Sequence, residues 1–357
     1  MSFFTKNIIS FDDKFCAVDL SDLSVKIFQL EKDGRIDRVR GYAHADIPEG
    51  FLDDGRIMEK NKVAEIIKAA MKKTIPKKIN TRKVICSIPE SKAFLRIISI
   101  PKVNEEEARE AIKWEMEANI PLSSDQVYFD WQFLEEAGGK QNVLTAAVSK
   151  EIVDDTVEVL GLAGLEVYGM EVESIASVRS LIPFELSKEV FLIVDIGARR
   201  TSFIISEGNL PSFTSSIPFS SEVISDSISK SLNIDKKEAD KIKINQGIEH
   251  SFEENSIFNI IKPMLENLAT EIEKTIDFYG GISKGSLEIK KIILCGGGSN
   301  LRGIVPYLTT RLCKDVMLGD PWVNLNFGNN LPIIDKNNSI KYTTAIGLAL
   351  KGIKHGS

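Results

Sequence analysis

Two segments that lie far apart in the chain share one pattern of hydrophobic and polar positions. Residues 16–30 and residues 192–206 each contain a short aliphatic run, an aspartate, another aliphatic residue, a small residue, a polar turn and a second apolar run. Two short apolar runs joined by a polar loop predict a β-hairpin. Because the same hairpin occurs twice, the sequence predicts two similar lobes.

The segment between the hairpins has a different pattern. Strand-like apolar runs occupy residues 84–89, 93–100, 127–133 and 142–148. Asn104 precedes an apolar stripe of helical spacing and Glu107 follows three residues later, which is the arrangement of a capping box. A further helix over residues 151–163 ends at Gly164. Together these elements predict a compact α+β subdomain inserted between the two hairpins.

Helices and strands alternate along the rest of the chain. Helical spacing predicts helices over residues 61–73, 174–182, 223–232, 236–245, 257–279 and 342–351, and apolar runs predict strands over 165–172 and 289–294. We therefore expect an α/β fold whose two lobes face a cleft. The first lobe comprises residues 1–87 and 162–188 and is completed by 340–357, the inserted subdomain comprises 88–161, and the second lobe comprises 189–339 with a helical subdomain at 222–262.

The composition restricts the classes of function. Of the 357 residues, 43% are hydrophobic and 27% are charged, and the formal net charge is -6. This acidic balance argues against nucleic acid as the main partner, because binding to phosphate backbones needs clustered cations. Residues 1–15 lack the basic start and apolar core of a signal peptide, and no apolar run approaches the roughly 20 residues of a membrane span. We expect a cytoplasmic protein.

The cysteines and histidines show no pattern of a metal site. The cysteines are Cys16, Cys86, Cys295 and Cys313, and the histidines are His44, His250 and His355. The cysteines form no C-x-x-C pair, so we expect small buried hydrophobic residues. The histidines lack the spacing of zinc ligands, and no zinc site is predicted.

One stretch departs from the acidic balance of the chain. Its cations are Lys72, Lys73, Lys77, Lys78, Arg82 and Lys83. Such a patch is able to face an anionic membrane leaflet, but a solvated helix end and loop give the same pattern. From the sequence alone we favour the solvated loop.

The two hairpin loops carry the residues with the clearest chemistry. Amides of tight turns form anion-binding concavities, and carboxylates hold magnesium through water, so Asp19 and Asp195 are candidates for water-mediated magnesium binding. Gly197 allows the backbone to approach a phosphate oxygen, and Thr201 offers a hydroxyl and an amide. One such hairpin is more often an ordinary surface turn, but two in related positions favour a polyphosphate site. Arg199 and Arg200 either add positive charge beside the phosphates or point to solvent.

A glycine cluster forms the third candidate loop. Residues 296–301 read Gly-Gly-Gly-Ser-Asn-Leu and follow the strand at 289–294. Glycines remove side chains that would prevent a base or ribose from lying on the backbone, and the next helix offers free amides. Many α/β turns contain such glycines, so their assignment to a nucleotide site depends on their position after two aspartate hairpins.

In this order, the two hairpins and the glycine cluster resemble the actin, heat-shock ATPase and sugar-kinase superfamily. The central segments are more specific, because residues 99–132 and 145–176 are similar to the PilM family of type IV pilus assembly proteins. In that family an acidic helix is followed by an Ile-Pro turn and an aromatic strand. The resemblance covers nearly the whole chain. It implies an actin-like fold of two ribonuclease-H-like lobes around a nucleotide cleft, with an inserted α+β subdomain in the first lobe.

The resemblance also implies a site for ATP and magnesium. The candidate residues are Asp19, Ser21, Asp22 and Ser24 in the first loop, Asp195, Gly197, Ala198, Arg199 and Thr201 in the second, and Gly296, Gly297, Gly298 and Asn300 in the third. Asp240 and Lys243 match a helix that flanks the ribose and base. The first loop departs from the family, which has glycine where this chain has Ser21, and Asp22 brings a carboxylate near the expected phosphates. We therefore expect altered or weak nucleotide affinity.

The function that the resemblance implies is that of a scaffold rather than a fast enzyme. It would bind ATP, hydrolyse it slowly or not at all, and belong to the inner-membrane platform of a type IV pilus. Its partner would be the N-terminal cytoplasmic peptide of a PilN-like bitopic membrane protein, held in a groove between the first lobe and the inserted subdomain. Other pilus platform or motor components are further expected partners, and the protein would be peripheral to the membrane through its partner.

Two alternatives from other classes stay open. A small-molecule kinase of the same superfamily needs a carboxylate base and a polar substrate pocket, and the chain shows no clear sugar-binding run. A filament-forming, FtsA-like division protein usually ends in an amphipathic membrane-binding tail, whereas residues 347–354 continue a small-residue helix. Trp114 lies off the apolar stripe of its helix, and we expect it to pack at the edge of the stripe rather than to face a partner.

Overall fold

The structure is a computed structural model that describes residues 14–119, 123–186, 188–248, 256–282, 288–329 and 331–353. Residues 1–13, the Ile-Pro turn at Ile120 and Pro121, and the histidines His250 and His355 lie outside the described residues. Within the described ranges, no helix combines the length and the apolar character that a membrane crossing requires.

The chain divides into two compact units. The first comprises Met1–Ser177, Leu325–Ile333 and Thr344–Ser357, and the second comprises Val178–Asn324 and Ile334–Thr343. The segments predicted for the inserted subdomain therefore belong to the first unit.

A six-stranded sheet forms the centre of the first unit. Its strands are β1 (Cys16–Ser21), β2 (Ser24–Asp33), β3 (Ile36–Asp46), β6 (Ile75–Pro76), β7 (Lys83–Ile88) and β11 (Glu166–Val172), in the order β11-β7-β1-β2-β3-β6. Strands β1, β2 and β3 are antiparallel neighbours, while β7 and β11 continue the sheet in parallel. The predicted hairpin at residues 16–30 is confirmed as β1 and β2. A short β4–β5 hairpin (Leu52–Asp53 and Arg56–Ile57) lies outside this sheet.

A three-stranded antiparallel sheet follows in the same unit. Its strands are β8 (Ala93–Pro101), β9 (Val127–Ala137) and β10 (Lys140–Ser149), with β10 in the centre. Helix α2 (Glu105–Asn119) packs Ala108, Ile112 and Met116 against this sheet. The Asn104 side chain accepts hydrogen bonds from the amides of Glu106 and Glu107 at 3.1 and 2.9 Å, so the predicted helix start is confirmed.

The second unit repeats the sheet plan of the first. Its strands are β12 (Val190–Ile196), β13 (Thr201–Glu207), β14 (Leu210–Ile217), β15 (Ile289–Cys295) and β16 (Val316–Leu318), in the order β14-β13-β12-β15-β16. As in the first unit, three antiparallel strands are extended by two parallel ones. The predicted internal repeat is therefore present as a shared sheet topology.

Most of the remaining helices agree closely with the predicted ranges, but the helices at Ile304–Leu312 and Lys336–Ser339 had no predicted range. The remaining helices are α1 (Lys60–Lys72), α3 (Lys150–Leu162), α4 (Glu173–Leu181), α5 (Ser221–Leu232), α6 (Lys236–Gln246), α7 (Ser256–Ile282), α8 (Ile304–Leu312), α9 (Lys336–Ser339) and α10 (Thr343–Gly352). Gly164 follows α3 with a positive φ of 81°, as its predicted role at a helix end requires. The apolar residues of α5, α7 and α8 join those of β12, β13 and β15 in one core of the second unit.

Two sequence expectations about single residues are wrong. Cys16, Cys86 and Cys295 are buried as predicted, but Cys313 is exposed, because it occupies the left-handed position that ends α8, with φ 51°. Trp114 does not pack at the edge of its apolar stripe, and 71% of its surface is exposed. Its neighbour Ile112 already fills the contact with the sheet.

Candidate functional site

Asp19 lies in the middle of a small polar cluster in the first unit. It is on β1, and the two neighbouring strands bring Lys26 and Ser87 to its side chain. The Lys26 ammonium donates to Asp19 Oδ2 at 3.0 Å, and the Ser87 hydroxyl donates to Oδ1 at 3.3 Å. Asp19 is buried, and a buried carboxylate is stable as an anion only when it is paired in this way. The hairpin therefore fixes a carboxylate and an ammonium side by side.

The sequence analysis did not identify Lys26 or Ser87. The signal for Lys26 was the hairpin itself, because closing it directly after Ser21 pairs Asp19 with Lys26 across the strands. Ser87 had no local signal, since it approaches from β7, far along the chain. Both lie beside a predicted site residue.

The turn of the first hairpin is held by its own side chains. The Ser21 hydroxyl donates to the Ser24 carbonyl at 3.1 Å and lies 3.1 Å from the Ser24 hydroxyl. The Asp22 carboxylate accepts hydrogen bonds from the amides of Asp54 and Gly55, at 3.2 and 2.8 Å. Asp54 and Gly55 have positive φ values, 47° and 77°, so the Asp22 carboxylate stabilises the strained turn between β4 and β5. This contact gives the carboxylate a structural role that the sequence did not indicate.

The second hairpin closes through a tight turn in the second unit. The Gly197 amide donates to the Arg200 carbonyl at 2.9 Å, and a Cβ on Gly197 would lie 2.8 Å from that oxygen. The carbonyls of Gly197 and Ala198 accept hydrogen bonds from Ser221 and Glu222, the first residues of α5. The loop and the helix start therefore form one hydrogen-bonded unit.

Both arginines of the second loop contact protein groups. Arg199 Nε lies 3.5 Å from the Glu222 carboxylate, and Arg200 donates to the Ser216 hydroxyl at 2.9 Å. Thr201 is fully buried, and its hydroxyl donates to the Phe219 carbonyl at 2.9 Å. The Thr201 hydroxyl thus fixes the end of the loop.

The glycine cluster lies directly against Asp195 and Ile196. A Cβ on Gly296 would lie 2.2 Å from Asp195 Oδ1, and one on Gly298 would lie 2.4 Å from Ile196 Cγ2. A Cβ on Gly297 would meet nothing within 4 Å. Gly296 and Gly298 are therefore required by close packing, while Gly297 leaves an open backbone surface. Asn300 donates to the Asn337 carbonyl at 3.0 Å.

Asp195 also contacts the strand next to its own. It pairs with Cys295 in the β12–β15 register, and burial together with the Asp195 charge raises the pKa of the Cys295 thiol well above its ordinary value. The thiol therefore stays protonated beside the carboxylate. Cys295 in the second unit corresponds in position to Ser87 in the first.

Helix α6 adds a second polar cluster next to the second loop. The Lys243 ammonium donates to the Ser221 carbonyl at 3.0 Å and to Asp240 at 2.8 Å. Burial disfavours the charged form of Asp240, but hydrogen bonds from Lys243 and Ser225 outweigh it and hold the pKa of Asp240 below its usual value. Because Ser221 also donates to Gly197, the structure brings the α6 candidates and the second loop into one connected network.

The second unit therefore contains several of the residues predicted for a nucleotide site. It combines a carboxylate at Asp195, a turn with close backbone approach at Gly197, an open backbone surface at Gly297 and a paired lysine at Lys243. These residues fit a magnesium-bound phosphate chain and a flat base.

Comparison with known proteins identifies the family. The profile described as Type IV pilus assembly protein PilM matches residues 17–353. The chain is similar to a solved structure described as a PilM-PilN type IV pilus biogenesis complex, with 26% identity, a TM-score of 0.82, and coverage of 96% of this chain and 99% of that one.

Two more distant structures share the fold. The ethanolamine utilization protein EutJ from Carboxydothermus hydrogenoformans matches with 16% identity and a TM-score of 0.57, over 94% of this chain and 88% of that one. MreB5 of Spiroplasma citri bound to AMPPNP matches with 16% identity and a TM-score of 0.54, over 96% of each chain. The fold is therefore actin-like, as predicted, and the chain belongs to the PilM family of type IV pilus assembly proteins.

Proposed function

We propose that this protein is a cytoplasmic, ATP-binding scaffold of a type IV pilus platform that binds the N-terminal tail of a PilN-like membrane protein. The observation that carries the proposal is the similarity, over 96% of the chain, to a structure described as a PilM-PilN complex. In this proposal the partner holds the protein at the inner face of the cytoplasmic membrane. Further pilus platform or motor components bind to the same scaffold.

The proposed nucleotide is ATP with magnesium. Among structures of this fold, MreB5 is described as bound to AMPPNP and to ADP, which supports a nucleotide in an actin-like chain. Asp19 and Asp195 occupy equivalent positions in β1 and β12, and both are proposed as residues that bind magnesium through water. Lys26, Gly197 and Lys243 would contact or position phosphates and ribose, and Gly297 would lie against the nucleoside. Asp22 is left out of this set, because its carboxylate is bonded to the β4–β5 turn.

The proposed groove for the partner tail lies between the first lobe and the inserted subdomain. The candidate contacts are half-buried aromatic rings on the sheet of that subdomain that pack against the core beneath α2, namely Phe94, Phe129 and Trp131. The Phe129 and Trp131 rings are stacked with centroids 6.0 Å apart, and the Arg109 guanidinium lies 4.8 Å from the Trp131 ring. Rigid aromatic rings with arginine beside them are the residue types that most often dominate binding of a peptide.

Calorimetry with a synthetic peptide tests this function. The peptide is the N-terminal cytoplasmic segment of a PilN-like protein from the same organism, and it is titrated into the full chain with and without magnesium-ATP. We expect saturable binding of the peptide at one site. A change in its affinity when ATP is present would show that the peptide site and the nucleotide site are coupled.

A scrambled peptide of the same composition is the matched control. It keeps the net charge, so any binding it shares with the native peptide is nonspecific attraction to this acidic protein. Equal heats from both peptides, with and without ATP, would contradict the scaffold function.

A further inference from the structure

Residues 72–83, called the basic loop below, contain several cations and no carboxylate, although the protein as a whole is acidic. Between Glu65 and Glu90 the chain contains no aspartate or glutamate, while the cations in that interval are Lys68, Lys72, Lys73, Lys77, Lys78, Arg82 and Lys83. The whole chain carries a net charge of -6. Seven cations without an intervening carboxylate therefore follow one another in this part of the first unit, which is the pattern expected when cations face an anionic surface.

Residues 74–79 of the basic loop are held by hydrogen bonds within the loop and to the edge of the sheet. Thr74 and Ile79 are buried, and the Thr74 hydroxyl accepts a hydrogen bond from the Ile79 amide at 3.0 Å. Ile75 pairs with Tyr42 and Pro76 with Gly41 as β6 joins the edge of the sheet. A Cβ on Gly41 would lie only 2.5 Å from the Lys77 carbonyl, so the loop backbone lies directly on β3. The loop is held in one position.

The basic loop exposes one large apolar side chain, that of Ile75, among its cations. The Ile75 side chain is 56% exposed, although Ile79, four residues later, is buried. The exposed cations around it are Lys72, Lys73, Lys77, Lys78 and Arg82. The Glu31 carboxylate lies 3.4 Å from the Lys77 ammonium and is shared with Arg40. One carboxylate does not neutralise the loop.

We propose that the basic loop binds directly to a bilayer that contains anionic lipids, with Ile75 entering the headgroup region. The sequence alone favoured a solvated loop, and the exposed, fixed Ile75 changes that interpretation. An anionic bilayer combines negative headgroups with an apolar layer beneath them, so it complements both the cations and the isoleucine. The cations alone would suit an acidic protein or a nucleic acid equally well, but Ile75 and Pro76 offer such a partner no hydrogen-bonding side chain.

This contact differs from attachment through a membrane-protein partner. It requires only lipid and the chain itself, so it is independent of the function proposed above. The contribution of each Lys or Arg near an anionic surface corresponds to about fivefold in affinity. Attraction of this kind decreases with salt, because the Debye length falls from about 10 Å at 0.1 M to about 3 Å at 1 M.

Flotation of the purified full chain with lipid vesicles tests the proposal. One set of vesicles is phosphatidylcholine alone, and the other contains about 30% phosphatidylglycerol, an anionic lipid. We expect binding to the anionic vesicles only, and loss of that binding in high salt. Equal binding to both sets, or to neither, overturns the proposal.

Two variants locate the contact. The triple variant Lys72→Gln, Lys73→Gln, Lys78→Gln is expected to bind anionic vesicles about 100-fold more weakly. Lys77 is retained because it pairs with Glu31. The variant Ile75→Ser keeps all charges and is expected to bind roughly tenfold more weakly, because burial of the isoleucine is lost. Unchanged binding of either variant overturns the proposal.

The matched control removes the same charge elsewhere. Lys262, Lys290 and Lys314 are exposed residues of the second unit, and Lys262→Gln, Lys290→Gln, Lys314→Gln is expected to float like the unmodified chain. An equal loss in the control would assign the effect to net charge and overturn the proposal. Polyglutamate binding by the chain without any vesicle binding would assign the loop to an acidic partner instead. Melting curves of all variants establish that each is folded.

Discussion

Asp195 and Asp22 are both aspartates of hairpins that were assigned to nucleotide binding from the sequence. The structure uses their carboxylates differently. Asp22 accepts two backbone hydrogen bonds that hold the turn at Asp54 and Gly55. Asp195 lies against Gly296, where a Cβ would approach its Oδ1 to 2.2 Å, and beside the Cys295 thiol. The Asp22 carboxylate therefore stabilises a turn of the fold, whereas the Asp195 carboxylate lies at the glycine cluster.

This difference predicts opposite effects of two matched substitutions. Asp195→Asn keeps the size of the side chain and removes its charge, so affinity for magnesium-ATP should fall roughly 10- to 100-fold, the value of a hydrogen bond to a charged group. Asp22→Asn should leave that affinity unchanged and lower the free energy of unfolding by about 1–2 kcal/mol. Titration with a fluorescent ATP analogue and unfolding in urea measure the two quantities. The reverse assignment of effects would place Asp22, and not Asp195, in the site.

Single residues of the site were predictable to different degrees. Asp19, Asp195 and Gly197 follow from local patterns, because an aspartate at a strand end and a glycine in a tight turn have meaning within a few residues. Lys26 is predictable only when the register of the first hairpin is known. Ser87 is predictable only when β7 is known to be the parallel neighbour of β1. The committed carboxylate of Asp22 depends on a turn more than 30 positions away.

Helix packing in the first unit depends on one glycine of α10. A Cβ on Gly347 would lie 1.9 Å from the carbonyl oxygen of Ala176 in α4, which is closer than a non-bonded carbon atom can approach an oxygen. The Ser177 and Thr344 hydroxyls lie 3.4 Å apart at the same contact, and Lys351 binds the buried Glu171 carboxylate at 2.7 Å. The backbones of the two helices therefore meet without an intervening side chain.

We expect Gly347→Ala to destabilise the protein. Accommodating one methyl group here requires moving α10 away from α4, which typically costs about 1–3 kcal/mol. The matched control is Gly161→Ala in α3, where a Cβ meets nothing within 4 Å. There the higher helix propensity of alanine should add up to about 1 kcal/mol of stability. Urea unfolding of both variants measures the effects, and equal stability of the two would show that α10 shifts freely.

Two of the strands that the sequence analysis missed share a physical cause. Strand β3 and strand β14 are the third members of their antiparallel groups, and neither was predicted. In β3 the sequence IDRVRGYAHAD contains charged residues at several positions, because its exposed side chains need no apolar partner. Such strands are specified by hydrogen bonding to β2 and β13, which a periodicity argument does not detect. Long helices such as α7 were found because their apolar stripes extend over several turns.

At the scale of the whole molecule, the two units repeat one another down to single positions. Asp19 and Asp195 each lie on the strand that has an antiparallel neighbour on one side and a parallel neighbour on the other. Ser87 and Cys295 contact them from the parallel neighbours. The sequence indicated the repeat through its hairpins, while the contacts from β7 and β15 depend on tertiary structure. Each unit therefore places one aspartate at the same position of its sheet, beside the parallel neighbouring strand.

A nucleotide that binds only to the folded chain, as proposed above, stabilises that chain. Binding that is restricted to the folded state adds about 2.7 kcal/mol at a concentration 100 times the dissociation constant. We therefore expect magnesium-ATP to raise the melting temperature by several degrees, and EDTA to cancel most of that rise, because the carboxylates are expected to act through the ion. Differential scanning fluorimetry measures both effects.

The control for this measurement is Asp195→Asn, which should melt close to the unmodified chain without ligand and gain little from magnesium-ATP. A rise of equal size in the variant would mean that ATP acts elsewhere on the chain. If no rise occurs in the unmodified chain while the partner peptide still binds in calorimetry, the protein is a scaffold that works without nucleotide. In that case the polar residues around Asp19 and Asp195 serve the stability of the two hairpins, and Asp195→Asn should instead lower the melting temperature without ligand.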